Sequence, residues 1–176
     1  MTATREFDLS ALFAAVDAQR REQQLGWPGL ATAIWQQSRA LNERRDDHPI
    51  SPATIRQLAE GRGLSCQHAL FVLRWLGLPP ETFIAEPRPG TVGIPLPAAD
   101  EAHRLRWRLR KLHEVLDAVC TARGATWQQA ADDLRCTPGQ LIGLRTAKFA
   151  TGMRLAMRIT RALRRPAVDF VYVADW

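Results

Sequence analysis

The stretch that decides the fold is Ser51-Pro52-Ala53-Thr54-Ile55-Arg56-Gln57-Leu58-Ala59-Glu60-Gly61-Arg62. Its first residue, Ser51, is a favourable helix N-cap, and Pro52 suits the first helical position because proline lacks an N–H that would be left unpaired there. Gly61 suits the residue that follows the last turn of a helix. The stretch therefore predicts a short capped helix that ends near Gly61.

The side chains of this helix divide into a narrow apolar stripe and a polar outer face. Only Ile55, Leu58 and Ala59 are apolar at helical spacing, so we expect them to face the core. The outer face then carries Ala53, Thr54, Arg56 and Gln57. Arg and Gln side chains can each form two hydrogen bonds with a base edge in the DNA major groove. Taken alone, the stretch fits either an ordinary surface helix or a helix that contacts DNA.

Length, composition and charge limit the class of protein. The chain has 176 residues, of which 46% are hydrophobic, and this fits one or two folded domains. Its net charge of +6 is uneven: residues 1–90 hold ten Arg and ten acidic residues, whereas residues 91–176 hold fourteen Lys and Arg against eight acidic residues. A basic second half favours a polyanionic partner, although an Arg-rich composition also follows from a GC-rich genome.

Several absences narrow the expected function. No apolar run approaches the roughly 20 residues that cross a membrane, and the N-terminus has no signal-peptide pattern. The three cysteines have no paired spacing, which is typical of reduced thiols in a cytosolic protein. The four histidines lie far apart, and the chain has no phosphate-binding glycine loop. We therefore expect a cytoplasmic protein with no membrane contact, no metal, no cofactor and no enzymatic activity.

The second half of the chain begins with a change of pattern. Residues 86–97 hold four prolines and two glycines, which predicts an extended linker. Leucines then recur at spacings of four and three from Leu105 onward, which predicts one long helix over residues 100–123. Its polar side would carry the basic cluster Arg104, Arg106, Arg108, Arg110 and Lys111. The tail, residues 169–176, fits either a short strand or an extended strap.

One pattern of apolar and capping residues occurs twice in the chain. The matches fall into three blocks at offsets of 100, 86 and 87 residues. They pair Trp27, Ala31 and Ile34 with Trp127, Ala131 and Leu134; Ser51-Pro52, Ile55 and Leu58 with Thr137-Pro138, Leu141 and Leu144; and Val72, Leu76, Pro79 and Phe83 with Ile159, Leu163, Pro166 and Phe170. The first copy has about fourteen extra residues, within the charged segment 36–50. The repeat predicts two similar all-α units.

Each unit resembles the Cro/lambda-repressor-type (XRE) helix-turn-helix family. Residues 51–62 match the family's third helix, and Leu76-Gly77-Leu78-Pro79-Pro80-Glu81-Thr82-Phe83 matches its end of domain. The resemblance implies an all-α fold of two lambda-repressor-like helix-turn-helix bundles in tandem, joined by a Pro-rich linker. The implied boundaries are 8–85 for the first domain, 86–97 for the linker, 98–171 for the second domain and 172–176 for the tail. The family turn is short, so the insertion 36–50 would either extend the second helix or form a flap beside the DNA.

The resemblance also implies residue roles, because the third helix of such a domain enters the major groove. In the first domain the base-reading residues would be Ala53, Thr54, Arg56 and Gln57, with Ser51 and Arg62 on phosphates. The third helix of the second domain carries Gly139, Ile142 and Gly143 instead, which read no base. Its implied role is phosphate binding by Gln128, Thr137, Gln140, Arg145 and Lys148.

The sequence leaves two functions open. The first is a sequence-specific, repressor-like transcriptional regulator that binds double-stranded DNA in the nucleoid, as a homodimer or as a single-chain pseudo-dimer. A pseudo-dimer is feasible because twelve extended residues span up to about 37 Å, and successive half-sites lie about 34 Å apart. The second is a protein-interaction module, such as an antitoxin or accessory factor, that uses the second domain to dimerise. The outward position of Ile142 favours this second function.

Overall fold

The computed structural model describes residues 6–86, 89–90, 93–146 and 150–176. Within these ranges the chain is mostly helical with one two-stranded sheet, so the all-α class is confirmed at this level. The helices are α1 (Leu9–Glu22), α2 (Trp27–Gln36), α3 (Arg39–Arg45), α4 (Pro52–Arg56), α5 (Cys66–Leu76), α6 (Leu109–Arg123), α7 (Trp127–Asp133), α8 (Pro138–Thr146) and α9 (Met153–Ala162). The strands are β1 (Arg104–Trp107) and β2 (Val171–Ala174), and single-turn 3-10 helices lie at Pro80–Phe83 and Ala167–Phe170.

The expected helix over residues 100–123 begins with a strand instead, so that prediction is wrong for its first third. β1 pairs antiparallel with β2, and Leu105 lies opposite Val173. Leu105 continues the leucine spacing of α6, which is why the periodicity suggested one helix. In the strand, however, Leu105 and Trp107 alternate with Arg104 and Arg106. Leu105 and Trp107 are both buried, on one face of the strand. The tail supplies the partner strand, which decides between the two alternatives for that segment.

The order of elements repeats along the chain. α1 and α2 recur as α6 and α7 at an offset of 100 residues, and α5 with the first 3-10 turn recurs as α9 with the second at an offset of 87. In the first half of the chain, Phe7 and Ile84 form an isolated antiparallel bridge. Their positions are equivalent to those of Trp107 and Val171, which pair in the sheet of the second half. We call these two halves of the chain the first and the second copy; apart from α3 they carry the same order of helices, at the offsets that the sequence indicated.

The two copies meet through equivalent residues. An antiparallel bridge joins Ser65 and Gly152, the N-cap residues of α5 and α9. Its hydrogen bonds, 2.7 and 2.9 Å long, run from Cys66 N–H to Thr151 O and from Met153 N–H to Leu64 O. Such reciprocal bonding between equivalent residues is what a local twofold axis produces. α5 packs against α9 beside the bridge, and the buried side chains of both copies form one continuous core. This contact, and not the length of residues 86–97, sets the separation of the two copies.

Segment 36–50 neither extends α2 nor stands free as a flap. α2 ends at Gln36, and the separate helix α3 packs on the second copy. The Leu41 N–H donates to Glu101 O at 3.2 Å, and the buried Arg104 guanidinium donates from Nε to Asn42 Oδ1 at 3.1 Å. Both expectations for this segment are therefore wrong, because its buried residues find partners in the entry to the second copy.

Candidate nucleic-acid interface

The helix that the sequence singled out is present but shorter than expected. α4 begins at Pro52, and the Ser51 Oγ caps it by accepting a hydrogen bond from the Thr54 N–H at 3.1 Å. The chain then passes through turns up to Gly61, which has a φ of +67°. Bonds between residues three apart, such as Ala59 N–H to Arg56 O at 2.9 Å, replace a regular last turn.

The outer face of α4 is available for contact. Ile55 and Leu58 are buried, whereas Ala53 and Arg56 are exposed and Thr54 and Gln57 are half-buried. The Arg56 and Gln57 side chains make no hydrogen bond or ion pair with any residue that the structure describes. The Thr54 hydroxyl is different, since it lies 3.0 Å from the Ser51 Oγ. Arg56, the last residue of α4, and Gln57, its C-cap residue, therefore have polar side chains that are free to bind a partner.

Residues on both sides of α4 position it. Before it, the Trp35 Nε1 donates to Asp47 O at 2.9 Å, and the Trp35 ring stacks on His48 with centroids 6.0 Å apart. These contacts hold the end of segment 36–50 against α2. After it, Arg62 lies in an ion pair with Glu60 at 3.0 Å, and both side chains are more than half exposed. Such an exposed pair is weak, so a phosphate can replace Glu60 as the partner of Arg62.

The equivalent helix of the second copy, α8, has a different surface. Thr137 and Gln140 form reciprocal cap bonds, from the Gln140 N–H to Thr137 Oγ1 at 3.2 Å and from the Thr137 N–H to Gln140 Oε1 at 2.9 Å. Both side chains are therefore engaged with the helix end. Arg145 is exposed, and Ile142 is 51% exposed. Lys148 lies outside the described residues. The repeat had matched Thr137 with the capping residue Ser51, but the part that Gln140 plays in the cap was missed, although the Thr-x-x-Gln spacing is its usual signal.

Gln128 lies in the first turn of α7. Its Nε2 donates to Asp132 Oδ1 at 2.9 Å, one turn further along the same exposed face. The pair is solvent-exposed, so a phosphate can compete for the Gln128 amide. The predicted phosphate residues of the second copy that the structure describes are thus spread over α7 and α8.

The basic cluster of residues 104–111 does not form one polar face. Arg104 is 2% exposed and pairs with Asp47 Oδ2 at 2.8 Å. The Arg106 and Arg108 guanidinium groups lie over the rings of Trp176 and Tyr172, at 4.2 and 4.6 Å. Lys111 Nζ donates to Asp169 O at 3.1 Å, and Arg110 is exposed. The cluster mainly attaches α3 and the tail to the sheet, and of its five members only Arg108 and Arg110 are exposed.

No protein-family model, no curated protein and no solved structure matches this chain. None of the helices in the described ranges combines the length and apolar character that crossing a membrane requires.

Proposed function

We propose that the chain is a sequence-specific double-stranded DNA-binding protein, built from two helix-turn-helix units, that acts as a repressor-like transcriptional regulator in the cytoplasm and nucleoid. It is a binding protein and not an enzyme, and it needs no cofactor. The observation that carries the proposal is the outer face of α4. There a capped helix presents Arg56 and Gln57 to solvent without any partner in the described residues. Both side chains are suited to bidentate contact with bases.

The local twofold relation between the copies supports this proposal. We infer that the rotation relating Ser65 to Gly152 also relates α4 to α8, in which case both helices lie at one level and face the same way along its axis. Two such helices can approach one side of a duplex, where successive major grooves face the protein about 34 Å apart. One chain then makes the pair of contacts for which a dimer would otherwise be needed.

The two copies have different tasks in this proposal. The first reads sequence through Arg56 and Gln57, with Ala53 against a thymine methyl and Arg62 on a phosphate. The second carries the whole formal excess of positive charge and provides phosphate contacts from residues such as Gln128 and Arg145. Phosphate contacts carry no sequence information but add affinity that decreases with salt.

Selection from a pool of random duplexes tests the proposal. The full chain should enrich one consensus, bind it with one chain per duplex, and lose affinity steeply as salt rises. The variant Arg56→Ala with Gln57→Ala should retain salt-dependent binding but enrich no consensus. The control Arg110→Ala also removes an exposed arginine and should keep the consensus. Absence of binding even at low salt would refute the proposal, and two chains on a palindrome would refute the one-chain arrangement.

Ile142 supports a second candidate function, in which α8 binds protein. It is 51% exposed, and Gly139 and Gly143 of the same helix line a cleft of about 320 Å³. An exposed isoleucine suits a protein contact better than a phosphate. Sedimentation of the wild type and of Ile142→Ser distinguishes the two candidates. A concentration-dependent dimer that Ile142→Ser abolishes favours the interaction module, whereas identical monomers favour DNA binding alone.

A further inference from the structure

A cavity of about 90 Å³ lies in the second copy, where residues of α6, α7 and α9 meet. Eight of its ten lining residues are apolar, and none belongs to α4 or α8, so the cavity is separate from the proposed DNA-contacting surface. One wall is held by Arg158 of α9, whose Nη1 donates to the O atom of the lining residue Leu134 and, at 2.9 Å, to Arg135 O. The cavity is therefore bounded by elements that are already tied together, as a preformed ligand site requires.

The internal repeat explains why space is left open at this place. Four lining residues are smaller than the residues at the equivalent positions of the first copy: Cys120 against Arg20, Ala125 against Leu25, Ala130 against Leu30, and Ala162 against Trp75. In the first copy the half-buried Trp75 packs against the core, and the Arg20 Nη1 donates to Leu25 O at 2.7 Å. The second copy thus has a void where the first copy has larger side chains, an indole ring among them.

The two polar lining residues, Arg123 and Asp133, are exposed and carry opposite charges. Neither side chain has a hydrogen bond or an ion pair with any residue that the structure describes. Because their charges balance, an uncharged ligand with one polar substituent suits this rim better than an ion does. An apolar cavity of roughly this size accepts one benzene-sized ring, since water gains few hydrogen bonds there.

We propose that this cavity is a binding site for a small, uncharged, monocyclic aromatic molecule. Its ring lies among the apolar residues, at the position that Trp75 has in the first copy, and its polar substituent lies at the rim beside Arg123 and Asp133. A ligand of about eight non-hydrogen atoms reaches a dissociation constant of about 1 mM or lower at ordinary ligand efficiency. The site goes beyond the proposed function, and its existence does not depend on DNA binding.

The test titrates the full chain with benzyl alcohol and follows the backbone amide chemical shifts by NMR. The shifts should saturate, with a dissociation constant of about 1 mM or lower, and should be confined to residues 116–134 and 159–163. Ala162→Trp introduces the residue of the first copy and should weaken binding at least tenfold. The matched control Ala118→Trp adds the same side chain on the exposed side of α6 and should bind like the wild type. Ala125→Leu is a milder way to occupy the cavity and serves if Ala162→Trp does not fold.

Thermal unfolding provides a second readout. Benzyl alcohol at about five times its dissociation constant should raise the melting temperature of the wild type and of Ala118→Trp by about 2 to 4 °C, and should leave that of Ala162→Trp unchanged. Shifts that do not saturate, or that are as large in the first copy as in the second, overturn the proposal. It is also overturned if the cavity-filling variants bind like the wild type. Benzoate should bind more weakly than benzyl alcohol, and tighter binding of benzoate would refute the assignment of an uncharged ligand.

Discussion

The pair between Arg104 and Asp47 gives the most quantitative prediction. The Arg104 side chain is 2% exposed, and its Nη2 lies 2.8 Å from Asp47 Oδ2. Asp47→Ala leaves a buried guanidinium without its counter-charge, and breaking a fully buried pair costs about 3 to 5 kcal/mol. Asp47 is 37% exposed, so solvent already screens part of its charge and the cost falls to about 2 to 3 kcal/mol. For a chain of this size that loss lowers the melting temperature by roughly 4 to 12 °C.

Chemical denaturation and calorimetry measure this loss. Glu43→Ala is the matched control, because it removes the same charge from the exposed side of α3 and should change the free energy of unfolding by less than about 0.5 kcal/mol. Arg104→Met combined with Asp47→Ala removes both charges and should recover about 1 kcal/mol or more relative to Asp47→Ala alone. The reasoning is refuted if Asp47→Ala and Glu43→Ala are equally stable, or if the double variant is the least stable of all.

Two further predictions concern buried ionisable groups. Burial, together with Asp169, raises the pKa of Glu81, although the carboxylate accepts a hydrogen bond from the Ala167 N–H at 2.7 Å. The contribution of Glu81 to stability is therefore present below its ordinary pKa and is lost as pH rises through the raised pKa. In urea at about pH 8, Glu81→Gln should be more stable than the wild type, and equal stabilities at that pH would contradict this. Burial also raises the pKa of the Cys66 thiol to about 12, whereas Cys136 is only half-buried. An aromatic disulfide reagent should therefore modify Cys136 first. Rapid modification of the native Cys136→Ser variant would contradict this.

The sequence predicted those elements that local chemistry determines. The start of α4 was correct because Ser51 and Pro52 act within one turn of the chain. Its end was wrong, since the residues before Gly61 form turns in which no local signal distinguishes a helix from successive bends. The two copies were visible because each repeats its own caps and apolar positions, and the structure has their elements at the same offsets.

Contacts between distant segments could not be predicted in the same way. β1 depends on a partner strand that lies about 65 residues further along the chain, and no sequence pattern near residue 105 identifies that strand. Arg104 was expected on the polar side of a helix, because its partners Asn42 and Asp47 belong to a segment that only the folded chain brings to it. For the candidate site, the exposed face of α4 was foreseen, whereas the cap that engages Gln140 was overlooked although its spacing was visible.

Base reading by Arg56 and Gln57 of α4 is the central claim. The most direct test compares the wild type, Arg56→Ala, Gln57→Ala and Arg110→Ala on the selected duplex and on a scrambled duplex of equal length, at the same salt concentration. A lost bidentate contact costs about 1 to 3 kcal/mol, so each α4 variant should lower the ratio of the two affinities by about 5- to 150-fold, while Arg110→Ala leaves the ratio unchanged. An unchanged ratio in both α4 variants would contradict the claim.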